Sequence, residues 1–566
     1  MTAHDPRHEL LFLPLGGVGE FGANLALYGF GGKWLMVDCG LSFADETMPG
    51  VDVLVPDPSF IVERKDKLVG LVLTHAHEDH LGALPYLWPR LECPVYATPF
   101  TAALARRKLD EAGLLHRVPL HVVAIGGRVN VGPFEVSYVP VTHSILEAHS
   151  LAIKTPVGTV VHSGDWKLDG DPRVGGLTDE PALRALGDAG VLALIGDSTN
   201  ALVPGHSGSE GSLVAHISDV VKECKGAVAA TMFASNAARI STIAQAATAN
   251  DRVLVVAGRS LWRTIEAARE CGYLRDLPPL LDEDEGARIP REHVLYLLTG
   301  CQGEPRGAMT RVATGEHRNI HMGRGDTVIF SSKVIPGNER SIGRVVNHLI
   351  RGGVNVVTEK DRKVHVSGHP YQEELRQMLR WLRPKIAVPV HGELRNLARH
   401  AELSREEGVA ETLVIEDGAL VRLAPGPAEV IDQIPTQRLP VGGSGPIAAE
   451  GPALLARRRM MFNGSVVVML VLGVSGELAA APRVVLRGVD LPEGGEASAL
   501  AAVAARVADL PRPRRMDDEE VNLAVRQALR SEFRQVTGQR PGIDVEIVRL
   551  GAPAASRVSR ETETNR

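Results

Sequence analysis

Apolar and polar residues alternate in short runs through the first two hundred positions of the chain. Strand-like runs bounded by glycine-rich turns lie at 10–15, 24–28, 33–38, 68–73, 136–141, 159–162 and 191–195. A helical period covers 100–112. The pattern predicts a mixed α/β fold that begins with antiparallel hairpins.

A regular alternation of strands and helices begins near residue 209. Ser207 and Glu210 fit a capping box, which predicts a helix that runs to Cys224. Strand-like and helical runs then follow at 226–232, 237–250, 253–257, 261–270, 294–298 and 327–330. Such alternation predicts βαβ units and a parallel sheet. Ligand-type residues resume only at His365, so we expect this segment to be an insertion within the first domain.

The end of the chain is predicted to form a small α/β domain of its own. Residues 424–452 are rich in Pro, Gly and Ala, which is typical of a linker. Strands are predicted at 465–472, 483–486 and 544–550, and a helix at 519–537. The predicted boundaries are 1–208 and 359–425 for a discontinuous first domain, 209–358 for the insertion, 426–460 for the linker and 461–566 for the C-terminal domain.

The run from Thr74 to His80 has the pattern H-x-H-x-D-H, with His75, His77, Asp79 and His80 as its ligand-type residues. Imidazole and carboxylate suit zinc and similar ions. Four such residues exceed what one ion normally takes from one turn, so the run predicts two ions. The alternative is a polar turn that is rich in histidine by chance. It is disfavoured because clustered titratable groups cost stability without a metal.

Three isolated ligand-type residues, His143, Asp165 and His391, each follow an apolar run elsewhere in the chain. A single histidine at the end of a strand is more often structural than metal-binding. Together with the run at 74–80, however, the three would complete a site for two ions. His162 lies close to Asp165 in sequence but points to the other face if 160–164 is extended, so it is predicted to be structural.

Composition limits the remaining classes of protein. The 566 residues are 44% hydrophobic, which is enough for several domains with apolar cores. The five cysteines form no C-x-x-C pair, which favours a reducing compartment. No signal peptide opens the chain and no apolar run is long enough to cross a bilayer, so we expect a cytoplasmic protein without membrane contact. The net charge of −6 weakly disfavours a nucleic-acid substrate, but bound metal ions would add positive charge that this count omits.

The order of these ligands, beginning with Asp38 after a strand, resembles the metallo-β-lactamase superfamily. The resemblance implies a four-layer αβ/βα sandwich, here with an inserted α/β domain and a small C-terminal α/β domain. It also implies that Asp38 orients the ligands without binding metal. By the same resemblance, one zinc ion is held by His75, His77 and His143, the other by Asp79, His80 and His391, and Asp165 bridges the two.

The inserted segment resembles that of the β-CASP nucleases, and within them the ribonuclease J family. The motifs that carry this resemblance are Asp197-Ser198-Thr199-Asn200, His365-Val366-Ser367-Gly368-His369 and Pro389-Val390-His391-Gly392-Glu393, with local matches at 16–24, 231–236 and 299–305. The resemblance implies that Asp197 and His369 form an acid/base pair. It implies a cradle for an RNA phosphate made of Ser235, Asn236, His365, Val366, Ser367, Gly368 and His369.

The activity that this resemblance implies is a zinc-dependent ribonuclease. It would degrade 5′-monophosphorylated RNA from 5′ to 3′ and also cut internally, in rRNA processing and mRNA decay. Two Zn²⁺ ions per subunit are implied, with Mn²⁺ or Mg²⁺ as alternative activating ions, and a homodimer or homotetramer that joins an RNA-decay assembly. The alternatives are a hydrolase of a small ester or lactam, a DNA phosphodiesterase, and a non-catalytic scaffold. The long insertion disfavours a small substrate, and the intact ligand set disfavours a scaffold.

Overall fold

The computed structural model describes residues 8–45, 47–335, 337–443 and 445–551, which form two compact units. The first unit contains the described residues up to Phe43 and those of Val53–Pro446. The second contains those of Ala44–Asp52 and those from Ile447 onward. The five cysteines are all free.

Two large sheets form the centre of the first unit. The first contains, in order across it, Glu429–Gln433, Ala419–Ala424, Leu10–Gly16, Leu25–Phe30, Lys33–Val37, Leu68–Val72, Val95–Ala97 and Leu120–Val122. The second contains Arg128–Val131, Phe134–Pro140, His149–Thr155, Gly158–His162, Ala193–Asp197, Ile386–Val390 and Glu411–Thr412. Apolar side chains of both sheets, among them Phe12, Tyr28 and Ile153, share one buried core, so the sheets pack face to face.

Helices cover the outer face of each sheet. Leu27 and Met36 of the first sheet share a core with two helices, Leu84–Leu91 and Pro99–Glu111. On the second sheet, Leu194 packs in a core with residues of Glu180–Ala189, Gln372–Leu382 and Leu394–Glu406. Short helices Ser59–Val62 and Glu78–Leu81 lie in the connections. This arrangement confirms the predicted four-layer αβ/βα sandwich.

The inserted segment forms a six-stranded sheet in which every pair is parallel. Its strands are, in order, Leu280–Leu281, Val253–Ala257, Val294–Leu298, Val228–Thr231, Thr327–Phe330 and Asn355–Val357. Its helices are Gly211–Glu223, Ala237–Ala249, Arg259–Glu270, Glu283–Gly286, Ala308–Ala313 and Glu339–Arg351. The chain leaves the second large sheet after Ala193–Asp197 and returns to the neighbouring parallel strand Ile386–Val390, so the insertion begins and ends at one edge of the sandwich.

The predicted capping box is wrong. The helix begins at Gly211, and Glu210 at its N-cap position makes no side-chain capping bond. Ser207 Oγ instead donates to Glu374 Oε1 at 2.6 Å, and the Glu210 carboxylate pairs with Arg239. Both side chains have buried partners elsewhere in the fold, and these compete with the local capping bonds.

The Pro- and Gly-rich segment after residue 424 carries regular structure. Strands Glu429–Gln433, Arg438–Gly442 and Gly445–Pro446 and helix Pro452–Asn463 lie within it. The strand Arg438–Gly442 pairs antiparallel with Val53–Pro56 in a sheet that also includes Ser42–Phe43. Composition did not indicate the strand Arg438–Gly442, because its partner Val53–Pro56 lies far away in the sequence.

The second unit contains a three-stranded sheet covered by helices. The strands, in order, are Arg483–Arg487, Ser465–Leu472 and Gly542–Arg549, and the helices after Pro452–Asn463 are Gly495–Asp509, Arg512–Arg515 and Asp518–Val536. Val468, Leu470, Val503 and Phe533 lie in its buried core. The predicted strands and the long helix of this part of the chain are confirmed. Among all the helices of the described ranges, none is both long and apolar enough to cross a membrane.

Candidate metal centre

The ligand-type residues lie at the carboxyl ends of strands that reach one edge of the sandwich. His75 and its neighbours follow Leu68–Val72, His143 follows Phe134–Pro140, and Asp165 follows Gly158–His162. His391 follows Ile386–Val390. The last three strands run in the same direction across the second sheet, so their ends converge although the residues are far apart in sequence.

Asp165 is common to three groups of potential ligand atoms. In each group the atoms all lie within 4.8 Å of one another, and the groups are His75, His77, His143 and Asp165; Asp79, His80, Asp165 and His391; and Asp165, Asp197, His369 and His391. The structure therefore brings together every residue that was predicted to bind metal. His162 is in none of these groups, since its Nδ1 lies 2.9 Å from Tyr28 Oη, in the core between the sheets.

Hydrogen bonds at the outer ring nitrogens orient the first group. His143 Nδ1 donates to the carbonyl of Gly368 at 2.6 Å, and His75 Nδ1 donates to Thr74 Oγ1 at 3.0 Å. The Nε2 atoms of both rings therefore carry lone pairs, and they lie 3.0 and 3.1 Å from Nδ1 of His77. A proton on His77 Nδ1 could serve only one of these two lone pairs, whereas a cation between the three nitrogens would serve all of them. This donor set fits a metal ion.

The second group is oriented in the same way. His80 Nδ1 donates to Asp38 Oδ2 at 2.6 Å, and its Nε2 lies 3.2 Å from Asp165 Oδ2. His391 Nδ1 lies 2.7 Å from Thr199 Oγ1 and its Nε2 lies 3.2 Å from Asp79 Oδ2. Each ring thus directs its Nε2 toward a carboxylate, an arrangement that either a proton on that nitrogen or a bound cation stabilises.

The electrostatics of the site differ between the two ligand groups. Burial lowers the pKa of His75 well below its ordinary value and that of His77 to about 4, so both are neutral ligands. Burial also acts to lower the pKa of His80 and His391, but Asp165 and neighbouring carboxylates hold both values well above the ordinary one. The pKa of Asp165 lies below its usual range despite its burial, because His391 and His80 adjoin it. A cation bound at the second group would replace the protons that the carboxylates favour on His80 and His391.

Asp38, which was predicted to orient the ligands, supports the ligand loop together with Asn24 and Gly40, which were not assigned to the site. Asp38 accepts bonds from Thr74 N and Thr74 Oγ1, both at 2.8 Å, and so fixes the first residue of the loop. Asn24 Nδ2 donates to the carbonyl of Asp79 at 3.0 Å. A Cβ atom on Gly40 would lie 1.6 Å from the same carbonyl oxygen, so only glycine allows this close approach. The motif at 16–24 was a signal for Asn24, although its role required coordinates.

Asp197 and His369 form a hydrogen-bonded pair beside the ligand groups. His369 Nδ1 donates to Asp197 Oδ2 at 2.9 Å and lies 3.9 Å from Asp165 Oδ2. The other carboxylate oxygen of Asp197 accepts bonds from Thr199 N at 2.9 Å and Thr199 Oγ1 at 2.6 Å. Burial alone would lower the pKa of His369, but Asp197 and Asp165 raise it above the ordinary value. The pair is thus rigidly held, and it adjoins the candidate metal site.

The run from His365 to His369 contributes both backbone and side-chain groups. Ser367 Oγ accepts bonds from His369 N at 3.1 Å and from Asn200 Nδ2 at 2.9 Å. The carbonyl of Gly368 holds His143, and a Cβ on this glycine would lie 2.5 Å from Ser144 Oγ. Val366 is buried in the hydrophobic core, so only its backbone faces polar surroundings.

Ser235 and Asn236 lie at the start of a helix in the inserted segment. Asn236 Oδ1 accepts a bond from Arg239 N at 2.9 Å and caps Ala237–Ala249. None of the hydrogen bonds within the described ranges joins Ser235 or Asn236 to the His365–His369 run. Arg239 of the same helix does reach that run, since its Nη1 lies 3.4 Å from His365 Nδ1.

Family models match four consecutive parts of the chain. They are a beta-lactamase superfamily domain over residues 33–213, the ribonuclease J beta-CASP domain over 225–349, a Zn-dependent metallo-hydrolase RNA specificity domain over 353–414 and the ribonuclease J C-terminal domain over 452–550. The metal use that these matches imply agrees with the donor groups described above.

Comparisons with whole proteins agree. The chain is 44% identical over 550 residues to ribonuclease J of Sinorhizobium meliloti, which covers 96% of this chain and 98% of that protein. It is 38% identical over 494 residues to ribonuclease J of Synechocystis sp., covering 86% of this chain and 77% of that protein. A solved protein of unknown function from Enterococcus faecalis V583 shares the fold, with a TM-score of 0.50 at 17% identity over 73% of this chain and all of that one. The chain belongs to the ribonuclease J family and is a metal-dependent hydrolase that cleaves RNA.

Proposed function

We propose that this enzyme uses zinc to remove nucleotides from the 5′ end of 5′-monophosphorylated RNA, and that it also cuts RNA internally. The observation that carries the proposal is the position of Asp165 in all three ligand groups. Because of it, the Asp197–His369 pair lies directly beside the side chains that can hold metal. A hydrolytic metal site with an adjacent proton-transfer pair suits cleavage of a phosphodiester.

Seven side chains would hold two zinc ions. They are those of the first and second ligand groups: His75, His77, Asp79, His80, His143, Asp165 and His391. Mixed nitrogen and oxygen donors suit zinc, and Mn²⁺ or Mg²⁺ would be alternative activating ions. When bound, two such cations polarise a phosphoryl group and neutralise charge on its oxygens.

His369 would manage the proton on the leaving oxygen. Its Nδ1–H is committed to Asp197, which leaves Nε2 to give or take the proton. Asp197 cannot turn away, because Thr199 bonds its other oxygen through both backbone and hydroxyl. General acid or base catalysis by a histidine held in this way contributes about 10²–10⁴-fold to the rate.

The His365–His369 run would bind the phosphate at the 5′ end of the RNA. It presents the Ser367 hydroxyl, the backbone around Val366 and Gly368 and the ring of His365. Ser235 and Asn236 of the inserted segment would complete the cradle. A terminal phosphate bound here would place the first phosphodiester bond at the metal site. That register would make cleavage stepwise from the 5′ end.

We also propose that the enzyme works as a homodimer or homotetramer, alone or in an RNA-decay assembly, in rRNA processing and mRNA decay.

The decisive experiment compares RNA of one sequence with a 5′-monophosphate, a 5′-triphosphate or a 5′-hydroxyl, with and without chelator. We expect mononucleotides from the monophosphorylated RNA, slower exonucleolytic loss from the others, and no cleavage after chelation. Readdition of Zn²⁺ or Mn²⁺ to the chelated enzyme should restore activity. Equal activity on DNA of the same sequence would favour the DNA alternative, and chelator-resistant cleavage would refute the proposal.

Two alanine variants separate the proposed roles. His77→Ala should lose bound metal and all cleavage, because it removes the nitrogen that His75 and His143 both face. His369→Ala should keep its metal, measured by elemental analysis, while kcat falls about 10²-fold or more. Loss of metal in the His369 variant would contradict the acid/base assignment.

A further inference from the structure

Three cationic side chains act on the imidazole of His365, and one of them, Arg239, has its Nη1 3.4 Å from His365 Nδ1. Burial lowers the pKa of this histidine well below its ordinary value, and Arg239, Lys333 and Lys167 lower it further. The ring is therefore neutral. It can donate one hydrogen bond to a phosphate, but it brings no charge.

Two of these cations are balanced by carboxylates within the fold. Arg239 Nε lies 2.6 Å from Glu210 Oε1 and Nη2 lies 2.8 Å from Oε2, and both side chains are buried. Lys167 Nζ lies 2.9 Å from Asp169 Oδ2, again with both side chains buried. A charge paired in this way has little capacity left for a ligand.

Lys333 differs from both. It is exposed, and among the residues that the structure describes no carboxylate lies within 4.0 Å of its ammonium group. Its Nζ donates to the side-chain oxygen of Asn200 at 3.2 Å. Of the three cations that act on His365, Lys333 is thus the one whose charge is not neutralised.

The backbone that carries Lys333 is held in place. The residue follows the strand Thr327–Phe330 in the inserted segment. Gln302 Nε2 donates to the carbonyl of Lys333 at 2.9 Å, and Gln302 Oε1 accepts a bond from Ile335 N at 2.9 Å. One amide side chain therefore holds the backbone from Lys333 to Ile335, which gives the match at 299–305 a structural role.

A short polar chain connects Lys333 to the His365–His369 run. Asn200 accepts from Lys333 and donates through Nδ2 to Ser367 Oγ at 2.9 Å, and Ser367 Oγ also accepts from His369 N at 3.1 Å. The ammonium group is therefore two hydrogen bonds from the hydroxyl of Ser367. A four-carbon stem lets it exchange the amide oxygen for an anion bound at that hydroxyl.

We propose that Lys333 binds the 5′-terminal phosphate of RNA and is the residue that makes the enzyme prefer a charged 5′ end. The inference rests on the proposed 5′-phosphate site. A terminal phosphate monoester carries a charge of about −1.5 to −2 at neutral pH, whereas an internal phosphodiester carries one and a 5′-hydroxyl none. Ser367 and His365 offer neutral donors, which orient a phosphate but do not distinguish these charges. A compact ammonium group does.

The test compares kcat/KM on otherwise identical RNAs that carry a 5′-monophosphate or a 5′-hydroxyl. Lys333→Met keeps the length of the side chain and removes its charge, and Lys333→Arg keeps the charge. Lys225→Met is the matched control, because Lys225 is exposed in the same inserted segment but lies before the strand Val228–Thr231, at the opposite end of the parallel sheet. Thermal unfolding of each variant checks that the fold is intact.

We expect Lys333→Met to lower the monophosphate-to-hydroxyl ratio of kcat/KM about tenfold, through KM, and to reduce the salt dependence of RNA binding by about one ion. The Lys333→Arg variant should retain most of the preference, and Lys225→Met should match the wild type. A ratio that stays unchanged in Lys333→Met, or a fall in kcat that is equal on both RNAs, would overturn the role of Lys333. If the wild type itself shows no preference, the proposed 5′-phosphate site has failed, and that result is visible before any variant is measured.

Discussion

Replacement of Asp38 by asparagine tests whether hydrogen bonds behind the metal ligands set the affinity for metal. Asp38 is 1% exposed and accepts three bonds, from Thr74 N, Thr74 Oγ1 and His80 Nδ1. Its φ is +62°, a conformation that asparagine adopts readily, so the substitution leaves the backbone unstrained. The change therefore removes hydrogen-bond acceptors without changing shape.

The expected effect follows from the geometry around Oδ2. This oxygen accepts from both His80 Nδ1 and Thr74 Oγ1, and an NH₂ group in its place donates instead. His80 then carries its proton on Nε2, which removes the lone pair that faces Asp79 and Asp165. Loss of such a supporting bond weakens metal binding about 10–100-fold, or about 1.4–2.7 kcal/mol.

Competition with a graded series of chelators, read by elemental analysis, measures this change in affinity. Cleavage of Asp38→Asn should recover in excess metal, because the ligands themselves remain. Asp110→Asn, an exposed position on the helix Pro99–Glu111, serves as the control. If Asp38→Asn binds metal as tightly as the wild type, the lone-pair argument for His80 is refuted.

Three other perturbations test the packing around the site. Arg239→Met leaves the buried Glu210 carboxylate without its ion-pair partner and should lower the free energy of urea unfolding by about 3–5 kcal/mol. The double variant with Glu210→Met should recover part of this loss. If the losses of the two single variants simply add in the double variant, the pairing is contradicted. Burial lowers the pKa of His400 to about 4, so the unfolded chain binds a proton more tightly, and stability should fall as pH drops from 6.5 to 4. His400→Gln should flatten that dependence, measured as the urea midpoint against pH, and an unchanged slope would argue against it. Gly40→Ala forces a Cβ against the carbonyl of Asp79 and should cost about 1–3 kcal/mol as well as bound metal; wild-type metal content would contradict this.

Local patterns in the sequence predicted most of the fold. The strands and helices of the sandwich and the insertion were visible because period-2 and period-3.6 patterns depend on neighbouring residues alone. The strand Arg438–Gly442 was missed because its hydrogen bonds go to Val53–Pro56, and no local pattern encodes a distant partner. The supposed cap at Ser207 failed for the same reason, since Glu374 lies far along the chain.

The residues of the candidate site also differ in whether local sequence could identify them. Residues of unusual type at strand ends, such as His143 and Asp165, could be found because few other roles suit them. Thr199 and Asn200 lie in a motif that carried the resemblance, but no role could be assigned to them or to Lys333, since asparagine, threonine and lysine are common at turns and surfaces. Their participation depends on contacts such as the 3.2 Å hydrogen bond between Lys333 and Asn200, which joins two segments that are distant in the sequence.

The pairing of Ala193–Asp197 with Ile386–Val390 has a consequence for the timing of synthesis. Thr199 and His391 are in contact but 192 positions apart, and the whole inserted sheet is made between them. At 5–20 residues per second, a ribosome needs roughly 10–40 s to cover that distance. Throughout this interval the emerging polypeptide holds His75, His77 and Asp165 but lacks His391, and for most of it also lacks His369. A nuclease assembled in this order should stay inert until nearly four hundred codons of its messenger have been read.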